Sequence, residues 1–316
     1  MRTRRLATGV IDAGLIVCGW FLSLIHRCLG WRGIGFWGKL AGDGLYFADR
    51  NRRRIIAEEL TRLFGGRFEQ VRIRSIARRS CEHFSMRLFE TVFFGSLDRR
   101  TTEELARAEG IPHIDEALAR GKGVILLLSH FGSFLLPLPF LGFRGYAVNQ
   151  ITGKQVHRSL VAERIWLWRK READRLPVRF RQVERFLRPV YQALKGNEIV
   201  AIAFDGRDST TWAVVDFFGR RARFSTGPLE LARRTGAAIV PTFVIREPGG
   251  RHRIEFLEEF RLSATSAAEN AESEDAQNFA RLFESYVEKY PCHFGMVLYN
   301  LRRAPANPAT ALFLDA

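Results

Sequence analysis

His130 closes the stretch VILLLSH, in which five consecutive apolar residues at 124–128 end on a polar pair. A run this short and apolar predicts a buried parallel strand. At the C-terminal end of such a strand the chain leaves the core and the next segment offers free N–H groups, so reactive side chains of α/β sheets collect there. An imidazole in that place can exchange a proton near neutral pH. His130 is therefore the leading candidate for a general base, the alternative being a structural histidine at a strand end. His83, His157 and His252 fall in helical or strand patterns, and His26 and His293 flank apolar segments, so none has an equal setting. A second apolar run, IVAIAF at 199–204, leads into Asp205 and Asp208 and predicts two carboxylates at the same sheet edge. Asp205 could serve a proton relay or bind substrate, or could instead cap its own loop. Glu198 precedes that strand and is the weaker choice. Arg207, Arg220, Arg221 and Arg223 follow closely, as phosphate ligands held bidentately or as a solvated basic turn. Cys18, Cys28, Cys81 and Cys292 form no CxxC pattern, which speaks against a disulfide framework or a zinc site and fits a reducing compartment.

These groups need a sheet to hold them, and the rest of the pattern supplies one. Further strands are expected near 146–151, near 176–180, at 238–245 and near 252–257, with helices at 157–171, 182–195 and 276–290 between or after them. Strand and helix in alternation predict an α/β fold, a central mostly parallel sheet flanked by helices. Ser225 or Thr226 can cap a helix with Pro228 in its first turn and Gly236 just past its end. The polar, alanine-rich segment 264–276 reads as an exposed loop. Upstream, Ile56, Leu60, Leu63 and Phe64 recur at helical spacing, as do Ile73, Ile76, Ala77, Phe84 and Leu88, so the first hundred residues are expected to be helical. The simplest division is an N-terminal membrane-associated segment at 1–48, a helical extension at 49–110, an α/β domain at 111–303 and a tail at 304–316.

The formal charge of +15 calls for an anionic partner, phospholipid or nucleic acid. No paired Cys/His spacing, basic region before heptads or RNA-binding aromatic motif is present, so membrane is favoured and nucleic acid is not expected. Leu6–Ile25 is a stretch of about twenty residues with Asp12 as its one charge, preceded by Arg2, Arg4 and Arg5. It reads as a membrane anchor or as a helix lying in the interface, with a buried first helix as the alternative. A cleaved signal peptide is disfavoured because His26-Arg27-Cys28-Leu29 has no small-residue cleavage site. Trp20, Trp31 and Trp37, with Arg27, Arg32 and Lys39, suit headgroup depth or the packing of the domain's own edge.

The segment GKGVILLLSHFGSF resembles the first motif of the lysophospholipid acyltransferase superfamily, in which a strand ends in a His followed five positions later by Asp or Glu. Phe131-Gly132 and Ser133 resemble the lipid A biosynthesis acyltransferases in particular. RRRIIAEEL at 52–60, FDGRD at 204–208, DFFGRRARFSTGP at 216–228 and LARRTGAAIVPTF at 231–243 extend the likeness in family order. The resemblance implies an enzyme of the bacterial inner membrane, cytoplasmic face, in which the His deprotonates a lipid or glycolipid acceptor that then attacks an acyl thioester. Acyl carrier protein or acyl-CoA would be the co-substrate, no further cofactor or metal would be needed, and membrane phospholipid would be a partner. It also implies substrate contacts at Ser129, Gly132, Ser133, Arg207, Arg220, Arg223, Ser225, Thr226 and Gly227, and a choice between acyl-chain tunnel and core for FLLPLPFLGF at 134–143.

Two departures stand out. Residue 135 is Leu, which cannot orient an imidazole, and losing that function costs about 10⁴ in rate in the serine protease case. Asp205 or Asp208 could replace the missing acid; otherwise the chain would be a weak enzyme or a relative that binds lipid or acyl carrier without turnover. Pro137 and Pro139 would also interrupt the helix that normally follows. Near the end, YPCHFGMVLYNLRR stands where lipid A enzymes commonly carry an aromatic-rich stretch leading to His-Arg-Arg, which makes lipid A itself a less expected acceptor.

Overall fold

The computed structural model describes residues 2–152, 160–182, 188–205, 209, 211–263, 268–303 and 312–314. In chain order the elements are α1 (Arg2–Ala48), α2 (Arg50–Phe64), α3 (Gln70–Val92), α4 (Arg99–Leu105), β1 (Ala106–Glu109), α5 (Ile111–Ala119), β2 (Val124–Leu128), α6 (Pro137–Gly142), β3 (Val148–Thr152) and α7 (Leu160–Ala173). They continue as β4 (Val178–Gln182), α8 (Arg188–Lys195), β5 (Ile199–Ala203), β6 (Trp212–Phe217), β7 (Arg220–Ser225), α9 (Gly227–Thr235), β8 (Ala238–Arg246), β9 (His252–Phe256), α10 (Ala268–Lys289) and α11 (Gly295–Arg303).

Among the described residues seven strands form one sheet in the order β1-β9-β8-β2-β5-β3-β4. The five from β8 to β4 are parallel; β9 pairs antiparallel with β8, and β1 runs with β9. The continuous apolar character of β2 follows from its central position. Ile125 and Leu127 enter one buried cluster with α8, α9 and α10, while Val124, Leu126 and Leu128 enter the other with α5 and α6. Both faces of the strand are thus dry, and no polar alternation is possible.

Several expectations shift. Pro137 and Pro139 do not abolish the helix after β2; they occupy the first turn of the short α6, where the N–H they lack has no helical partner anyway. Of the segment expected as an exposed loop, residues from Ala268 onward begin α10. Its buried stripe starts with small residues, Ala271 and Ala276, before Phe279 and Phe283 take over, so the apolar periodicity is muted where the helix begins. The antiparallel hairpin β6–β7, the edge strand β1 and α11 were not anticipated. The hairpin turns on Phe218 and Gly219, both at positive φ (56° and 70°), the geometry of a two-residue primed turn. The phenylalanine is held there because its N–H donates to Glu284 on α10, while the Gly219 N–H donates to Asp216 at 2.8 Å.

At the N-terminus, α1 is two helical stretches that meet at Gly30, whose φ and ψ are non-helical. Its second half lies against α3 so closely that a Cβ on Gly38 would stand 2.7 Å from the Met86 Cα, and one on Gly42 2.4 Å from the Glu82 Cα. Among the described residues no helix is long and apolar enough to cross a membrane. Val17, Trp20, Phe21 and Leu24, spaced as one helical face, are nevertheless exposed, as are Phe36, Leu40 and Phe47 beyond Gly30.

Candidate active site

The register between β2 and β5 pairs Leu128 with Ala203, and the ladder runs one step further through the Phe204 N–H, which donates to the Leu128 carbonyl at 2.8 Å. Two neighbouring strands leaving the core at the same height bring the residues after them side by side. His130 and Asp205 accordingly meet. The His130 backbone N–H donates to both Asp205 carboxylate oxygens, at 3.1 and 3.0 Å, and the ring Nδ1 lies 3.0 Å from Oδ1. Asp205 is almost fully buried, its side chain 2% exposed, whereas that of His130 is 42% exposed. A carboxylate on Nδ1 places the ring proton there and leaves Nε2 as a free acceptor. That is the arrangement of a general base with an orienting acid.

Leu135 packs at the border of the core cluster on the α6 side. Phe131 is buried against Phe243 and stacks on His293 at 5.1 Å, which pins the loop from within. Phe134 meets the His130 ring edge-on at 4.8 Å. Gly132 has φ +56°, and a Cβ there would fall 2.1 Å from the Val244 carbonyl oxygen, so only glycine lets the loop lie against the end of β8.

Behind the loop stands a buried charge network that the sequence patterns did not single out. Glu90, from α3, accepts two hydrogen bonds from the Arg246 guanidinium at 2.7 and 2.8 Å. His252 Nε2 lies 3.3 Å from the same carboxylate. The Ser133 hydroxyl donates to Glu90 at 3.3 Å and accepts from Arg246 at 3.4 Å. Burial by itself would raise the Glu90 carboxyl, but Arg246 and His252 outweigh it and hold the group well below the usual carboxylate range. A lone Glu in a helix and an Arg at the end of a strand carry no local signal; only the tertiary fold pairs them.

The Arg246 backbone N–H donates to His293 Nε2 at 2.9 Å, so the neutral ring carries its proton on Nδ1, which faces Cys292 Sγ at 3.6 Å. Together with His83, these are the residues among those described whose ligand atoms, all within 4.8 Å of one another, could hold a metal ion. Burial pushes the Cys292 thiol up to about 11 and His293 down to about 3, and it holds His83 well below the ordinary imidazole value. Metal binding would require the His293 Nδ1 proton to leave while Nε2 keeps the Arg246 N–H. The group fits a hydrogen-bonded packing cluster better than a metal centre.

The remaining expected site residues divide. Ser129 is buried, and its hydroxyl has no hydrogen-bond partner among the described residues. Ser225, Thr226 and Gly227 lie beside Asp205, since the Ser225 N–H donates to the Phe204 carbonyl at 3.0 Å. Their hydroxyls are engaged locally: Ser225 donates to Ser209 at 2.8 Å, and Thr226 bonds Glu230 at 3.0 Å instead of capping α9. Arg220 sits at the far end of β7, about 17 Å of strand away from Ser225. It stacks 3.8 Å over Phe313 with Glu59 4.0 Å away, neither a solvated turn nor a neighbour of His130. Arg223, in mid-strand, is half-buried and its N–H donates to Leu312 at 2.7 Å. Glu198 pairs with Arg179 and Asn149 at the opposite end of the sheet. Within 134–143, Leu136, Leu138, Phe140 and Leu141 fill the core. Arg207 and Asp208 lie outside the described residues.

A mostly parallel sheet with a carboxylate-held histidine at its C-terminal edge defines a scaffold suited to proton abstraction from an acceptor. Residues 10–303 match the family model described as bacterial lipid A biosynthesis acyltransferase, and the chain belongs to that family of lipid acyltransferases. The chain is also similar to phosphatidylinositol mannoside acyltransferases from two strains of Mycobacterium tuberculosis, each 30% identical over 145 residues. That alignment covers 46% of this chain and 46% of each relative, so the chain spans about half the length of the curated relatives it matches.

Proposed function

We propose that this protein is a membrane-associated acyltransferase that moves a fatty acyl group from the thioester of acyl carrier protein or coenzyme A to a lipid or glycolipid acceptor, with His130 as general base and Asp205 as its orienting acid. His130 Nε2 takes the proton of the acceptor hydroxyl or amine as that atom attacks the thioester carbonyl; the tetrahedral intermediate collapses, and the departing thiolate takes the proton back from the imidazolium. The observation that carries the reading is the Asp205 carboxylate, bonded to both the ring and the backbone N–H of His130. It supplies from a neighbouring strand what Leu135 cannot supply five residues downstream. A glycolipid acceptor is supported by the mycobacterial relatives, whose names specify one. Work at the cytoplasmic face of a bacterial inner membrane is supported by the +15 charge and the exposed apolar face of α1.

Leu135 favours a second reading, a binding relative without turnover, and one experiment separates the two. Labelled acyl carrier protein and acyl-CoA are offered with lysolipids, phosphatidylinositol mannosides and lipid A precursors to the natural protein and three variants. Transfer should vanish in His130→Ala, fall about 10³- to 10⁴-fold in Asp205→Asn, and gain nothing in Leu135→Glu. An inactive natural protein that Leu135→Glu awakens would establish the second reading.

A further inference from the structure

We propose that Glu90, acting through Arg246 and Ser133, is a positioning residue that holds the His130 loop in register with Asp205. This rests on the transferase reading of the same site and adds a residue from the helical extension to it.

The loop after β2 is gripped from two sides. In front, Asp205 takes the His130 backbone N–H and ring. Behind, the Gly132 N–H reaches the His293 carbonyl at 3.4 Å, and Ser133 fits into the fork made by Glu90 and Arg246. Ser133 is also where the chain turns toward α6, since its carbonyl accepts the Leu136 N–H at 2.8 Å. With Leu at 135, the turn after His130 has no carboxylate of its own, and the anchoring hydroxyl is two residues upstream. Glu90 accepts from Arg246 at both carboxylate oxygens, with His252 against Oε1 and Ser133 against Oε2, and all four side chains are shielded from solvent. A buried ion pair is a weak source of stability, because desolvation offsets its attraction, but it fixes geometry well. Misplacing a base by about 1 Å can cost about 10²-fold in rate. The network is therefore placed to set where His130 stands.

The test compares Ser133→Ala, Glu90→Gln and the double variant in full-length protein, with three readouts: kcat and KM for acyl transfer, the thermal midpoint, and the low-field NMR resonance of the His130 Nδ1 proton in ¹⁵N-histidine-labelled protein, assigned by its loss in Asp205→Asn. Ser133→Ala should lower kcat about tenfold or more with KM and the thermal midpoint unchanged, and should broaden the Nδ1 resonance. Glu90→Gln should lower kcat further, and the double variant should be no worse than Glu90→Gln, as for two links in one chain. Wild-type kcat with an unchanged resonance in Ser133→Ala would overturn the proposal, as would losses that multiply. A raised KM at constant kcat would assign Ser133 to substrate binding and overturn it too. Should Glu90→Gln not fold, Ser133→Ala alone decides. The resonance needs no turnover: if the natural protein transfers nothing, the transferase reading fails, while broadening in Ser133→Ala still upholds positioning and its absence refutes it.

Discussion

A carboxylate that reaches an imidazole from another strand does the same electrostatic work as one that follows it along the chain, provided the distance is right. His130 was legible because its position rests on a local pattern, an apolar run ending in a polar residue. Asp205 was legible only as one of two acids expected at that edge, and its contact with His130 required the β2–β5 register. Glu90, Arg246 and His293 were not legible, because each gains its meaning from partners more than a hundred residues distant or from one backbone N–H. Three histidines carry a pH prediction. His83, His252 and His293 are all depressed, chiefly by burial, with the Arg246 guanidinium adding to the effect at each. Below the ordinary imidazole value of 6.5 the unfolded chain takes up protons that the folded one refuses. Stability should thus be full above that point and decline as pH falls, by up to about 1.4 kcal/mol per pH unit for each neutral ring. Glu90, also depressed on balance, keeps its contribution above its unfolded value of 4.5 and loses it as pH falls below that, a second and later decline. Unfolding midpoints measured from pH 7.5 to 5 should fall, with a shallower slope in His83→Gln; an equal slope would show that His83 is protonated in the folded protein.

At the scale of elements, regular strands and long apolar helices were visible while close approaches were not. The spacing Gly38-x-x-x-Gly42 was present in the sequence, yet a glycine pair in a helix says nothing about its partner until α3 is laid across it. The hairpin escaped notice because Arg220 and Arg221 blur the alternation of β7, and because its turn places a phenylalanine where glycine or asparagine is usual. The glycines of α1 separate two kinds of substitution. Gly42→Leu must push α1 from the α3 backbone and should cost about 1–3 kcal/mol by overpacking. Gly44 has nothing within 4 Å of its added Cβ, so Gly44→Ala should be neutral or gain up to about 1 kcal/mol of helix propensity. Urea unfolding of both variants beside the natural chain checks the contrast, and similar effects at the two sites would refute this packing of α1 on α3.

Taken whole, the molecule sets its apolar outer face on one helix and its candidate chemistry on the sheet edge, with α3 touching both: Met86 and Glu82 meet α1, and Glu90, one turn or two further on, meets Arg246. The membrane association proposed above predicts that the protein floats with vesicles containing anionic phospholipid, more weakly at high salt, and that replacing Trp20, Phe21 and Leu24 together by serine releases it. Flotation unaffected by that triple change would move the contact elsewhere. The pairing of His130 with Asp205 also has a consequence in time. Their contact exists only after two strands whose closing residues stand 75 positions apart have come into register. Helices of the extension can form early from local contacts, but a pair made by distant strands belongs to the slow, late part of assembly. Any partly folded chain in which β5 has not yet docked holds His130 without the Asp205 contact, so under the proposed mechanism acyl transfer should begin only once β2 and β5 have paired.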